Sequence, residues 1–248
     1  MKFFSGTFSR KIMLTRLIPM IVASLLVPAF VASTLYPHPY DWRYVVISAY
    51  SDRDENPGAY FLTPIGGLVA GLLMVGFLGY YQKKLGKICR CSTGVGTAFM
   101  LVGVVGLILL GATELLDIRL GKSHEYLAAL GFVGVVLAVP FYGCPILKDR
   151  LRGAKQFNMR LFWTSSIVLI IPVVGMAAGA IIGSDLPSGY EAVEHLIMHP
   201  GELMFPTSFA FWEWLLFFGV LVYVVCLAIL VPENVTPFEK AAVPTRAK

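Results

Sequence analysis

A chain of 248 residues that is 57% hydrophobic and only 14% charged has too little polar surface for a soluble domain. About a quarter of the residues in such domains are charged. Its net charge of +5 does not indicate a nucleic-acid partner, because the Lys and Arg residues lie in short segments between long apolar blocks. Each block reaches the roughly 20 residues that a helix needs to cross a bilayer. The composition therefore predicts an all-α membrane protein.

The apolar blocks predict six transmembrane helices in a single domain that covers residues 1–248. In chain order the predicted helices cover residues 17–35, 59–81, 94–115, 126–147, 161–183 and 210–231. The first block follows four basic residues, as the apolar run of a secretory signal does, but it is longer than such runs. We therefore expect it to be an uncleaved membrane anchor.

The positive charges predict the orientation of the bundle. Sixteen of the 20 Lys and Arg residues lie in the N-terminal arm, in the second–third and fourth–fifth connections, and in the tail. By the positive-inside rule these segments are cytoplasmic, so both termini are too. We expect a multi-pass protein of the cell membrane in a bacterium, or of an endomembrane or the plasma membrane in a eukaryote. Its expected partners are membrane lipids and a membrane protein, not nucleic acid.

The predicted outer face carries most of the polar chemistry. All four histidines and 12 of the 15 acidic residues map to it. Glu114 and Glu213 stand near the outer ends of the third and sixth blocks, where an unpaired carboxylate in lipid is costly. With His124, Asp117 and Glu125 nearby in the sequence, they predict a polar, ligand-binding cavity that opens outward.

The first outer loop offers a second group of oxygen ligands. Asp52, Asp54, Glu55 and Asn56 are hard donors of the kind that calcium prefers. Their spacing is not that of an EF-hand, and Arg53 interrupts it. A solvated turn before the second helix is the alternative, and the pattern favours it.

The last outer loop contains two histidines at helical spacing. His195 and His199, at i and i+4, could share a zinc ion with His124 or Glu202 as a third ligand. The same stretch also fits a short amphipathic helix, residues 189–199, with its polar side in water and its apolar side in lipid. The glutamate of an H-E-x-x-H motif is missing, so the pattern favours the surface helix over the metal site.

Three segments together resemble the Frag/DRAM/Sfk family of membrane proteins: ISAYSDRDENPG, HEYLAALGF and FWEWLLFFGVLVY. The resemblance implies six helices with both ends cytoplasmic. It also implies a role near lipids, such as remodelling of lipid-anchored proteins, lipid asymmetry or regulation of membrane trafficking. The last outer loop with its histidine pair departs from the family pattern. The matching positions are Ile47-Ser48 with Asp52–Pro57, His124, and Glu213-Trp214.

Two functions follow from these observations. We expect a non-enzymatic membrane protein that binds or organises lipids through its polar cavity and needs no cofactor. The alternative is a zinc-dependent hydrolase that acts on a lipid at the outer leaflet, with Glu191 or Glu202 activating water. The histidine pair is similar to that of alkaline-ceramidase-like membrane hydrolases. Those proteins have seven helices and carry the pair within a helix, whereas here we predict six helices and a pair in a loop.

Overall fold

The computed structural model describes residues 6–118, 123–182 and 208–237. Over these residues the chain is helical without strands, and six helices are long and apolar enough to cross a membrane. The predicted fold class and the predicted number of spanning helices are confirmed. The helices are α1 (Arg10–Thr34), α2 (Leu62–Leu85), α3 (Arg90–Leu115), α4 (Ser123–Leu151), α5 (Met159–Ile182) and α6 (Phe209–Leu230).

Several helices extend beyond the apolar blocks that predicted them. α1 begins at Arg10 rather than at residue 17, with the hydroxyl of Ser9 accepting a hydrogen bond from the Ile12 amide. α4 continues to Leu151 through a charged turn. Hydropathy locates the part of a helix that lies in hydrocarbon, whereas charged residues can remain helical at headgroup depth. The sequence therefore predicts the spans better than it predicts their ends.

The helices pack mainly as hairpins of consecutive elements. α3 and α4 make the most extensive contact, and α5 packs along α6 with much less contact to α4. Buried aromatic side chains fill the bundle where Tyr81 meets Tyr142, with ring centroids 5.0 Å apart. The periphery is apolar, with Phe30 and Val174 exposed to 70% and 63%. Such a surface is suited to lipid contact.

The two ends of the bundle differ in charge. At one end, called here the basic end, the start of α1 meets the end of α6. The Arg10 guanidinium donates to the carbonyls of Val231 and Ile229 over 2.9 and 2.8 Å. Because the end of a helix leaves carbonyls unpaired and slightly negative, a cation stabilises it there. The opposite end, called here the acidic end, carries the loop of residues 35–61 and the connection from α3 to α4.

Candidate functional site

Glu114 and His124 meet at the acidic end of the bundle. Glu114 lies in the last turn of α3 and His124 in the first turn of α4, and these antiparallel helices are joined by a short connection. The Nδ1 atom of His124 lies 2.5 Å from Oε1 of Glu114. An ionised Glu114 carboxylate can only accept, so beside it Nδ1 of His124 donates and Nε2 is the ring nitrogen left for a ligand.

Glu213 lies in the second turn of α6. Its side chain is buried, at 7% exposure, and its Oε2 accepts a hydrogen bond from the amide of Ile47 over 2.9 Å. Ile47 begins a short 3-10 helix, Ile47–Ser51, within the loop of residues 35–61. The next residue, Trp214, donates its indole N–H to the Val45 carbonyl over 3.0 Å. Two successive residues of α6 therefore fix this loop against the bundle.

The loop of residues 35–61 has a buried side as well as a solvated one. Tyr50 and Asn56 are fully buried, and the Asn56 side-chain amide donates to the Tyr50 carbonyl over 3.3 Å. The Tyr36 hydroxyl donates to Glu55 over 2.5 Å. Burial and this neighbouring carboxylate raise the pKa of Tyr36 above its ordinary value. The prediction of a solvated turn is therefore incomplete, because one side of this loop is buried.

The loop and the helices line three adjacent, partly open chambers. The outer chamber has a volume of about 290 Å³ and a polar wall. The neck chamber, of about 130 Å³, combines Glu213 with apolar groups. Ser48, Ser51, Glu114 and His124 border both of these chambers. The remaining polar wall of the outer chamber includes Asp52, Arg53, Glu55, Thr113, Asp117 and Ser123.

The third cavity, called here the deep chamber, has a volume of about 100 Å³ and no polar side chain in its lining. It shares its walls with the neck chamber through residues of α1, α3, α4 and α6. The shared residues are Leu25, Leu107, Leu110, Ala128, Phe132 and Phe217. Polarity therefore falls stepwise from the acidic end towards the middle of the bundle.

The other predicted site residues are placed differently. Asp117 lies in the wall of the outer chamber, with one carboxylate oxygen 3.8 Å from the Arg53 guanidinium. Glu125 is exposed and is not among the residues that line the three chambers. His195, His199 and Glu202 lie outside the described residues, and so does the predicted surface helix.

One wall of the outer chamber consists of loop residues that were not predicted to belong to the site. Ser48, Ser51 and Arg53 come from the loop of residues 35–61, more than 50 positions before His124. The available signal in the sequence is the family resemblance, which includes Ile47-Ser48, His124 and Glu213 among its matching positions. Nothing in the local pattern of the loop indicates which helices it covers.

The described residues include no group of three or more His, Cys, Asp or Glu side chains placed to hold a metal ion. The fold and the site define a multi-pass helical membrane protein with a buried polar site at one end. Comparison with protein-family models, with curated proteins and with solved structures finds no match.

Proposed function

We propose that this protein binds a membrane lipid in the three chambers and does not alter it chemically. Its role is to organise the lipid or to present it to a membrane-protein partner. One observation carries the proposal: a polar chamber at the bundle end adjoins an apolar chamber in its interior. Small-molecule sites typically combine apolar walls with a few placed polar groups, and this gradient matches an amphiphile.

The buried carboxylate of Glu213 supports a binding role. A charged side chain among apolar helices is costly and usually faces a cavity or a partner. The Ile47 amide satisfies one oxygen of Glu213, and the remaining polar neighbourhood belongs to the neck chamber. A ligand hydroxyl or amine there would offset the cost of burying the carboxylate.

The resemblance to the Frag/DRAM/Sfk family agrees with a role near lipids. One position from each of its three matching segments meets the others in space, since Ile47 donates to Glu213 and both lie with His124 around the neck chamber. The charge asymmetry of the sequence supports the orientation. With the basic end in the cytoplasm, the outer chamber opens on the opposite side of the membrane.

The test is to extract and quantify the lipids that remain bound to the protein purified in mild detergent. We expect one amphiphile enriched over its share of the membrane, at a ratio near one per chain. His124→Ala should reduce that ratio severalfold. His38→Ala is the matched control, because His38 is exposed and does not line the chambers. Lipids present only in their membrane proportions would contradict the proposal.

One observation also favours the metal-dependent hydrolase as a second candidate. Histidines that bind metals usually donate their other ring N–H to a carboxylate, as His124 does to Glu114. Nε2 of His124 could then join His195, His199 or Glu202 in a zinc site. Metal analysis after gentle purification decides between the candidates. One zinc per chain that is lost in His195→Ala and His199→Ala supports the hydrolase, and less than one per chain in the unaltered protein counts against it.

A further inference from the structure

We infer that the ligand is a single-chain amphiphile with a primary amine in its headgroup, drawn from the leaflet at the acidic end. This inference rests on the proposed function and specifies the ligand of the same site. The alkyl chain occupies the neck and deep chambers, and the headgroup occupies the outer chamber.

The depth of the chambers matches one leaflet. On α3 the lining runs from Glu114, at the polar mouth, to Gly103 in the deep chamber. Eleven residues of α-helix rise about 16 Å, which is about half of a roughly 30 Å hydrocarbon core. An alkyl chain that enters from the acidic end therefore stops near the bilayer midplane, above the packed tyrosines Tyr81 and Tyr142.

The small volume of the deep chamber limits the ligand to one chain. A dry cavity of roughly 150 Å³ can hold a single benzene ring. The deep chamber is smaller, at about 100 Å³. Two alkyl chains side by side would require the helices to separate around Leu107, Ala128 and Phe217.

The charge of the outer chamber selects the headgroup. Four carboxylates line it, whereas the described residues around it supply one guanidinium, that of Arg53, and the imidazole of His124. The acidic excess among these described residues attracts a cation and disfavours a phosphate or sulfonate. Hydroxyl groups add hydrogen-bond partners for the polar part of the same headgroup. The carboxylates belong to Asp52, Glu55, Glu114 and Asp117, and the hydroxyls to Ser48, Ser51, Thr113 and Ser123.

The test uses three photoactivatable probes with the same single chain and a diazirine at its end. Their headgroups carry a primary amine, a neutral hydroxyl or a sulfonate. The purified full-length protein is placed in nanodiscs of neutral lipid and cross-linked with each probe. We expect the amine probe to label about tenfold more than the sulfonate probe, which corresponds to about 1.4 kcal/mol.

Two pairs of variants distinguish binding of the alkyl chain from binding of the headgroup. Ala128 borders the neck and deep chambers, so Ala128→Phe fills the space for the chain. Ala129→Phe is its control, because Ala129 is exposed. Asp52→Asn removes one charge from the outer chamber while its side-chain oxygen can still accept from the Asp54 amide. Asp54→Asn is the control, because Asp54 is exposed and outside the lining.

The outcomes distinguish this inference from the proposed function. Amine-selective labelling that Asp52→Asn weakens and Ala128→Phe abolishes supports both. If the three probes label equally and Ala128→Phe still abolishes the labelling, the proposed amine headgroup is wrong and the proposed lipid binding stands. Equal labelling of Ala128→Phe and Ala129→Phe overturns both. If Ala128→Phe does not fold, the cross-linked residues in the unaltered protein decide. Met74 and Val135 support a chain in the deep chamber, and lipid-facing Leu137 contradicts it.

Discussion

At the scale of single residues, the candidate site depends on side chains whose polar atoms are paired inside an apolar bundle. Glu213 is the clearest case, because an amide from a distant loop donates to one oxygen of its carboxylate. Trp214 adds a second bond to the same loop. The sequence indicated that Glu213 was unusual, since carboxylates are rare in spanning helices. It could not indicate the partner, because Ile47 lies 166 positions away.

Loss of the Trp214 bond should loosen the loop of residues 35–61. In Trp214→Phe the buried Val45 carbonyl loses its donor, which costs about 1–3 kcal/mol. We expect faster tryptic cleavage at Arg43 and Arg53, measured by limited proteolysis in detergent. Trp42→Phe is the control, because Trp42 is half exposed. Unchanged cleavage of Trp214→Phe would show that the bond does not hold the loop.

The ion pair between Asp41 and Arg43 predicts an effect of pH on the same loop. Hydrogen bonds from the Arg43 side chain lower the pKa of Asp41 below its ordinary value. The pair therefore stabilises the loop at a pH above that ordinary value and loses its effect as the pH falls through the lowered value. In Arg43→Gln we expect the pKa of Asp41 to rise, measured by NMR titration of labelled aspartate. An Asp41 that titrates identically in both proteins contradicts the assignment.

At the scale of helices, the bundle is set by hydropathy and by close approach at glycines. The apolar blocks predicted all six spans, because hydrocarbon requires paired backbone groups and long apolar runs. The glycine crossing between α3 and α4 was harder to recognise. Gly103 and Gly106 of α3 face Gly131 and Gly134 of α4, with a spacing of three residues within each helix. The familiar small-residue pattern has a spacing of four.

This crossing predicts a contrast between two glycines of α4. A Cβ atom at position 134 would lie 2.5 Å from the Gly103 nitrogen, so Gly134→Ala forces the helices apart. At position 131 the nearest atom would be 3.8 Å away, which is ordinary contact. We expect Gly134→Ala to lower the apparent Tm by several degrees and Gly131→Ala to leave it near that of the unaltered protein. The apparent Tm is measured by thermal unfolding, followed by fluorescence size-exclusion chromatography. Equal Tm values for the two variants would contradict this packing.

At the scale of the whole molecule, the basic end and the chambers lie at opposite ends of the bundle. Arg10 joins the start of α1 to the end of α6 at the basic end, while the chambers open at the acidic end. The sequence predicted an outward polar cavity from the clustering of its acids and histidines. It could not predict the apolar deep chamber beneath, because this chamber arises from how five separate helices pack.

The orientation predicts which cysteines a membrane-impermeant maleimide can reach. Cys91 is exposed at the basic end and should stay unlabelled in intact cells. A second protein has all four native cysteines replaced by serine and carries Asp54→Cys at the acidic end. This protein should label from outside. Inverted vesicles should show the reverse pattern for both. Labelling of Cys91 in intact cells would place the basic end outside and contradict the orientation.

The most direct test of lipid binding is an experimental density map of the protein in lipid nanodiscs. We predict continuous density for one alkyl chain between Leu107, Ala128 and Phe217, joined to headgroup density beside His124 and Glu114. The same region should be empty of this density in Ala128→Phe and unchanged in Ala129→Phe. A map of the unaltered protein in which the deep chamber contains no chain, at a resolution that shows annular lipid, would contradict the account.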